Sequence, residues 1–277
     1  MKILMLLCLI PVYGNVFQPQ KSELTPRNVN ISMGEINTKY QNVISKYNEF
    51  HYVYQYPVNK RKTLKLDTKI LPRYADVDHP LRISVRFERG SQGWQIPFKE
   101  GNNKLPIYQV EKTLCLFDVE DFTELTVVIS TSSLNDIQFE VTMEEVDDFF
   151  IRVNNGLIHQ VKDLSIASTT FKRVDLTSIN GLVQIKVTSE QDSCGLVSVQ
   201  PMMCPVAGTA ADIYGSGSWQ SMLKLAAFTV HADDYPEGFF LSFLTLEGTN
   251  PIIDRKSIKE LHNFSFQMTK FVAMKLW

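Results

Sequence analysis

The amino-acid sequence predicts an all-β protein built from antiparallel β-sandwiches, and three observations lead to this prediction. Apolar and polar residues alternate in several short segments, most clearly over Leu81–Glu88, and a period of two is typical of strands with one buried face. Turn-forming pairs such as Asn155-Gly156 and Asn180-Gly181 separate these segments. No long stretch keeps the period of an amphipathic helix. Short strands between closely spaced turns favour sandwiches.

The first element in the chain has the composition of a signal peptide. Lys2 precedes the apolar run Ile3–Val12, and Val12-Tyr13-Gly14 predicts cleavage after Gly14. The run is too short to span a bilayer, which takes about 20 apolar residues. We therefore expect residues 1–14 to be a signal peptide and the chain to work outside the cell or in a vesicle lumen. The alternative is a buried first strand.

Further strands are predicted wherever β-branched and aromatic residues are concentrated. In chain order after Leu81–Glu88, these segments are Thr126–Ser130, Gln138–Met143, Val183–Thr188 and Phe239–Leu246. An acidic run then lies at residues 144–148. Together with the length of the chain, this run predicts two tandem domains, a first sandwich over residues 15–147 and a second over residues 148–277.

A basic zone stands out in a protein whose formal net charge is −2. Between Val58 and Arg89, nine basic residues face four acidic ones, and such a surface attracts the phosphates of nucleic acid. Arg82 and Arg86 share the polar face of their strand, about 13 Å apart at roughly 3.3 Å per residue. Double-stranded RNA suits this face because it is recognised mainly by shape and backbone. The predicted RNA-binding residues are Lys60, Arg61, Lys62, Lys65, Arg82, Arg86 and Arg89.

Two alternatives remain open for this zone. The cations either form a binding site or are an ordinary solvated surface. The alternating residues Tyr52, Tyr54 and Tyr56 either stack on bases or pack in a core. If RNA binds, its affinity should fall with salt and should rise at acidic pH, because five histidines would gain charge.

The sequence lacks the usual signatures of catalysis and metal binding. It contains no paired-histidine zinc motif, no close cysteine pair, no phosphate-binding glycine loop and no Gly-x-Ser-x-Gly turn. We therefore expect no enzyme activity, no cofactor and no metal. Two triplets, Asn30-Ile31-Ser32 and Asn263-Phe264-Ser265, predict N-glycosylation at Asn30 and Asn263 in an exported chain.

Cysteine usage fits export. Cys115, Cys194 and Cys204 lie beyond the predicted cleavage site. An odd number in an oxidising compartment implies one bridge with a free thiol, or an intermolecular bridge.

Several ordered segments resemble the extracellular region of the systemic-RNAi-defective (SID) transmembrane family. The resemblance extends over roughly residues 80–246, and its strongest part runs from Val187-Thr188-Ser189-Glu190 to Met203-Cys204-Pro205-Val206. The other segments that carry it are Thr113-Leu114-Cys115, Val127–Ser133, Val146–Arg152, Trp219–Met222, Ala226–Val230 and Asp234–Phe240.

The resemblance implies two jelly-roll-like β-sandwich domains on the extracellular or lumenal side. It also implies a part in binding double-stranded RNA for uptake or transport, and in some members cholesterol handling. It implies a Cys115–Cys204 disulfide with Cys194 unpaired, while a Cys115–Cys194 pairing stays open. The family's many-helix membrane domain does not follow before Trp277, so neither transport nor the family's metal-dependent hydrolysis is carried over.

Other functions remain as alternatives. The chain would then be a secreted interaction or homo-oligomerising module, which we expect to use apolar strand faces such as Phe239–Phe243. A sterol-handling partner domain is a further alternative, on the weak pattern around Tyr40 or Tyr54.

Overall fold

The computed structural model describes most of the chain between residues 27 and 271. Lys60, Arg73 and Arg89, along with the predicted signal peptide, fall outside the described residues. The residues not described are 1–26, 58–60, 72–75, 89, 100–105, 117–121, 154–157, 165–168, 178, 190–193, 209, 216–217, 246–261 and 272–277.

The regular secondary structure of the described chain is almost all β-strand, which confirms the predicted all-β class. Besides the strands, the described residues include a short helix α1 (Ala210–Gly215) and a single 3-10 turn (Ala232–Asp234). The strands are β1 (Asn28–Met33), β2 (Lys39–Ile44), β3 (Asn48–Pro57), β4 (Thr63–Leu71), β5 (Leu81–Phe87), β6 (Gly90–Ile96), β7 (Gln109–Thr113), β8 (Phe122–Thr131), β9 (Ile137–Val146), β10 (Phe150–Arg152), β11 (Ile158–Leu164), β12 (Thr169–Asp175), β13 (Leu182–Ser189), β14 (Gly195–Pro201), β15 (Ser218–Met222), β16 (Leu225–His231), β17 (Phe239–Thr245) and β18 (His262–Phe271).

The strands form three sheets. The first sheet has the order β1-β3-β8-β5-β6, and the third has the order β11-β18-β13-β16. Between them the long sheet runs β15-β14-β17-β12-β7-β4-β9-β2, with β10 paired to β12. Neighbours are mostly antiparallel, but β1–β3, β10–β12 and β7–β12 are parallel. The long sheet therefore continues from the N-terminal half of the chain into the C-terminal half.

The first core lies between the first sheet and strands β7, β4, β9 and β2 of the long sheet. Alternation along β4 buries Leu64, Leu66 and Ile70, while alternation along β5 buries Leu81 and Ile83. These side chains meet in one cluster, so β4 and β5 turn their other faces outward on opposite sides of the sandwich.

The second core lies between the third sheet and strands β12, β17 and β14. Every residue of β17 is buried, because Phe239 and Leu241 face this core while Phe240 packs with Phe149 and Phe171 on the other side. A central strand covered on both faces needs apolar residues in succession. Phe239–Phe243 therefore form interior packing, and our expectation that they offer an exposed partner surface is wrong.

Among the residues that the structure describes, a strand pair and a disulfide connect the halves of the chain. Thr169 of β12 pairs with Lys112 of β7 within the long sheet. A disulfide joins Cys115, just after β7, to Cys204, just after β14. This is the pairing that the family resemblance implies, and Cys194 is the free cysteine among the described residues.

Candidate nucleic-acid interface

The predicted basic zone is divided between two surfaces. Lys65 belongs to β4 of the long sheet and Lys62 directly precedes that strand, whereas Arg82 and Arg86 belong to β5 in the first sheet. Because the inner faces of both strands fill the same core, the two pairs of cations point to opposite sides of the sandwich. Arg61 is exposed in the turn before β4.

The two lysines are engaged by carboxylates. Lys62 Nζ lies 2.6 Å from Glu145 Oε1 and 2.6 Å from Asp147 Oδ1, and its hydrogen bonds to Asp147 and then Glu145 raise the pKa of its ammonium group. Lys65 Nζ lies 3.0 Å from Glu111 and 3.3 Å from Glu144. These ion pairs satisfy the lysines within the fold, so they are poor candidates for phosphate contacts.

The pKa of Lys65 shows which influence is stronger there. Burial would lower it, but the nearby carboxylates of Glu111 and Glu144 outweigh burial and raise it. At Asp67, which pairs with Glu111 across the strands, burial is the stronger influence. It raises the pKa of the Asp67 carboxyl to about 6, although Gln109 donates a hydrogen bond that lowers this pKa. Lys65 therefore holds together a group of acids that would otherwise repel one another.

The arginines of β5 have different neighbours. Arg82 is flanked by Gln95 of β6 and Ser130 of β8, and Arg86 by Ser91 and Thr126. Both arginines are exposed, and neither has a salt bridge to another described residue. We call this surface the arginine face, defined as Arg82, Ser84, Arg86, Ser91, Gly93, Gln95, Thr126, Val128 and Ser130.

Small residues lie between the two arginines on the side of β6. Ser84 pairs there with Gly93, and on the side of β8 with the buried Val128, so a ligand can approach the backbone closely over β6. The nearest carboxylate along β8 is Glu124, two residues from Thr126 and hydrogen-bonded by Gln55 at 2.7 Å. The arrangement offers two guanidinium groups that can bind anionic oxygens bidentately.

A third strand of the same sheet carries a charged group that the sequence did not single out. Glu49 accepts hydrogen bonds from His51 at 2.5 Å and from Arg27 at 3.3 Å. Burial would raise the pKa of Glu49, but these two partners lower it overall. His51 thus faces outward on β3, beside a fixed negative charge.

The tyrosines beside the basic zone are core residues. Tyr52, Tyr54 and Tyr56 are each no more than 1% exposed, and Tyr52 packs 5.0 Å from Tyr40 between ring centroids. Of the two alternatives raised by the sequence, packing is therefore the correct one, and base stacking by these rings is excluded.

A cavity of about 500 Å³ lies where the two halves of the chain meet. Its lining includes Glu111, Glu144, Glu145, Asp147 and Asp148, so the acidic run of the sequence faces it. Its floor holds Lys172, only 4% exposed, whose Nζ lies 2.6 Å from Asp148 Oδ1. Burial lowers the pKa of Lys172 and the contact with Asp148 opposes that change. The sequence had no signal for this buried lysine, because Thr169–Asp175 resembles any half-buried strand.

Other described residues add no candidate metal centre to this surface. No cluster of three or more histidine, cysteine, aspartate or glutamate residues suited to a metal ion occurs in the described part of the chain. Among the same residues, no helix has the length and hydropathy needed to cross a bilayer.

Comparison with a family model and comparison with known proteins give matches to the same family. Residues 171–275 match the family model of the dsRNA-gated channel SID-1. SID1 transmembrane family member 1 of Rattus norvegicus is 25% identical over 291 aligned residues, covering 99% of this chain and 35% of that protein. The Homo sapiens relative of the same name is 26% identical over 74% of this chain and 26% of its own length. The chain thus spans about a third of these relatives or less.

Among solved structures, the tandem CBM22 domains of Paenibacillus barcinonensis Xyn10C align with 77% of this chain and 80% of their own. The identity is 10% and the TM-score 0.21, a similarity too low to support any inference. The family model and the curated relatives agree with each other over the C-terminal half, and the relatives extend the match to the rest. Together these matches support membership of the SID family.

Proposed function

We propose that this chain is the extracellular or lumenal RNA-capturing part of a SID-type protein, binding the backbone of double-stranded RNA on the arginine face. The observation that carries the proposal is the pair Arg82 and Arg86, exposed on one strand with uncharged partners on both sides. The description of the matching family as a dsRNA-gated channel supports the choice of ligand. The role is binding rather than catalysis.

The electrostatics favour a backbone contact over base recognition. Two guanidinium groups about 13 Å apart on a flat strand can reach phosphates, but the small side chains between them offer little to a base edge. Such binding is insensitive to sequence and depends strongly on salt. Arg89 follows β5 directly but lies outside the described residues, so its part in the site stays a prediction.

Reversal of one exposed cation tests the site. Arg86→Glu should weaken binding of a labelled 30-base-pair RNA roughly tenfold, as expected for loss of a charge-assisted hydrogen bond. It should also reduce the salt dependence of the affinity. The matched control is Lys186→Glu, which reverses an exposed cation at an outward position of β13 in the other sandwich and should leave RNA affinity nearly unchanged.

The opposite result is equally informative. A variant with charge reversal at Arg82, Arg86 and Arg89 should bind RNA more weakly than the parent. If it binds as tightly, the arginine face is not the RNA site. Absence of RNA binding by the parent at pH 5.5 and 7.4, at low salt, would reject the RNA role and favour an interaction module. Stronger binding at pH 5.5 would support the expected contribution of histidines.

A further inference from the structure

Strand β1 is an edge strand without the usual protection. It ends the first sheet and, among the described residues, pairs with β3 alone. All six of its residues are exposed, including Val29 at 51%, Ile31 at 69% and Met33 at 64%. An exposed apolar edge of this kind is a template for pairing with another chain.

Proteins commonly guard such an edge with a charge, a proline or a bulge. The sequence of β1, Asn-Val-Asn-Ile-Ser-Met, has no charged residue and no proline, and its register with β3 is unbroken from Asn28 to Met33. By contrast, the edge strand β2 of the long sheet carries Lys39, which is 59% exposed and pairs with Glu140 at 2.6 Å. Within the described part of the chain, strand β1 therefore has no guard built from its own residues.

The predicted glycosylation triplet lies in the middle of this strand. Asn30 is the third of the six residues and Ser32 the fifth. Alternation puts Asn30 and Ser32 on one side of the strand and Val29, Ile31 and Met33 on the other. Asn30 and Ser32 are both exposed, so the acceptor stays accessible in the folded chain.

We propose that an N-linked glycan on Asn30 is the guard of the β1 edge. In an exported chain, the amide Nδ2 of Asn30 would attack C1 of the first sugar of a lipid-linked oligosaccharide diphosphate. The bond from C1 to the diphosphate oxygen breaks, the lipid diphosphate leaves with the electron pair, and Nδ2 loses one proton. A branched sugar then stands at the centre of the free edge, where a second strand would need to come within about 4.8 Å to pair.

The second triplet supplies a natural comparison. Asn263 belongs to β18, which lies between β11 and β13 and has no free edge among the described strands. A glycan there, if present, cannot serve as an edge guard. The guard also lies apart from the proposed RNA site, because β3 and β8 separate β1 from β5, a distance of about 14 Å at roughly 4.8 Å per strand.

The test uses the chain secreted from a eukaryotic host, with peptide mass mapping and sedimentation velocity at several concentrations. The parent should carry a glycan on Asn30 and sediment as a monomer. Ser32→Ala, which destroys the acceptor but keeps Asn30, should shift material to dimers and larger species, as should Asn30→Gln. Ser32→Thr keeps the acceptor and, like Asn263→Gln, should remain monomeric.

A second variant separates edge pairing from general misfolding. Ile31→Lys combined with Ser32→Ala adds a charge to the unglycosylated edge and should restore the monomer, or restore secretion if Ser32→Ala alone is retained in the cell. The proposal is overturned if Asn30 is unmodified in the secreted parent. It is also overturned if the unglycosylated variants stay monomeric, or if Ile31→Lys restores neither property.

Discussion

Strands β4 and β5 carry similar charges in the sequence and opposite electrostatic roles in the fold. Both alternate apolar with charged residues and both contribute to the first core. Strand β4 lies between β7 and β9, whose outward residues include Glu111 and Glu144. Strand β5 lies between β6 and β8, whose outward residues beside the arginines are uncharged.

This difference shows that the number of cations in a segment does not determine its surface potential. The neighbouring strands decide whether a cation is neutralised within the sheet or left for a ligand. Cross-strand pairs are the unit in which a sheet distributes its charges. Lys62 and Lys65 thus contribute to the stability of the junction between the halves. Arg82 and Arg86 of β5 remain available to a ligand at the surface.

One substitution on each strand tests whether β4 and β5 differ in this way. Lys65→Met keeps the apolar stem but leaves the carboxylates of Glu111 and Glu144 without their shared cation, so we expect a loss of about 2 kcal/mol of folding free energy. Arg86→Met should change stability by less than about 0.5 kcal/mol and weaken RNA binding. Denaturant unfolding and RNA titration of both variants check the crossed pattern. Equal stability losses would mean that the two strands do not differ as described.

A second prediction concerns Asp67, the acid beside Lys65. Burial raises its folded pKa to about 6 from the ordinary carboxyl value of 3.8, so the folded state binds its proton more tightly than the unfolded state does. Stability from this group is therefore fully present below about pH 4 and is lost as the pH rises to about 6. Asp67→Asn should then be more stable than the parent by about 2 kcal/mol at pH 7.4.

The pH dependence provides the control for that prediction. The advantage of Asp67→Asn over the parent should shrink between pH 6 and pH 4, because the parent carboxyl becomes neutral over that interval. Denaturant unfolding of both proteins at pH 4.5, 6 and 7.4 measures it. An advantage that is independent of pH would show that the substitution acts through packing or hydrogen bonding with Gln109 instead of through charge.

Local patterns predicted much of the fold but not its charge distribution. Alternation is visible within one strand, so the predicted strand Leu81–Glu88 corresponds to Leu81–Phe87, and Gln138–Met143 lies within Ile137–Val146. Ion pairs depend on register between distant segments: Lys65 meets Glu111 across 46 positions, and Lys62 meets Glu145 across 83. The alternation of residues within one strand contains no information about contacts between segments so far apart in the sequence.

Burial explains the other differences between expectation and structure. Alternating tyrosines give the same pattern whether their rings point into a core or into solvent, and only the packing of β3 against β2 and β8 decides it. In the same way, the apolar run Phe239–Phe243 is compatible with a partner surface or with a doubly covered strand. The second core on one side of the strand, with Phe149 and Phe171 on the other, settles the choice.

A carboxylate at the border of the arginine face should weaken RNA binding slightly. Glu124 is the one described carboxylate close to Arg86 along β8, about 7–8 Å away as a diagonal neighbour of a sheet, and it reduces the local positive potential. Glu124→Gln should raise RNA affinity about twofold at low salt, and the gain should fade as the Debye length shortens from about 10 Å at 0.1 M salt. Glu237→Gln, the same charge change at an exposed turn of the second sandwich, should have no effect. If both substitutions raise the RNA affinity equally, the cause is the net charge of the chain. That result would contradict the assignment of the RNA site to the arginine face.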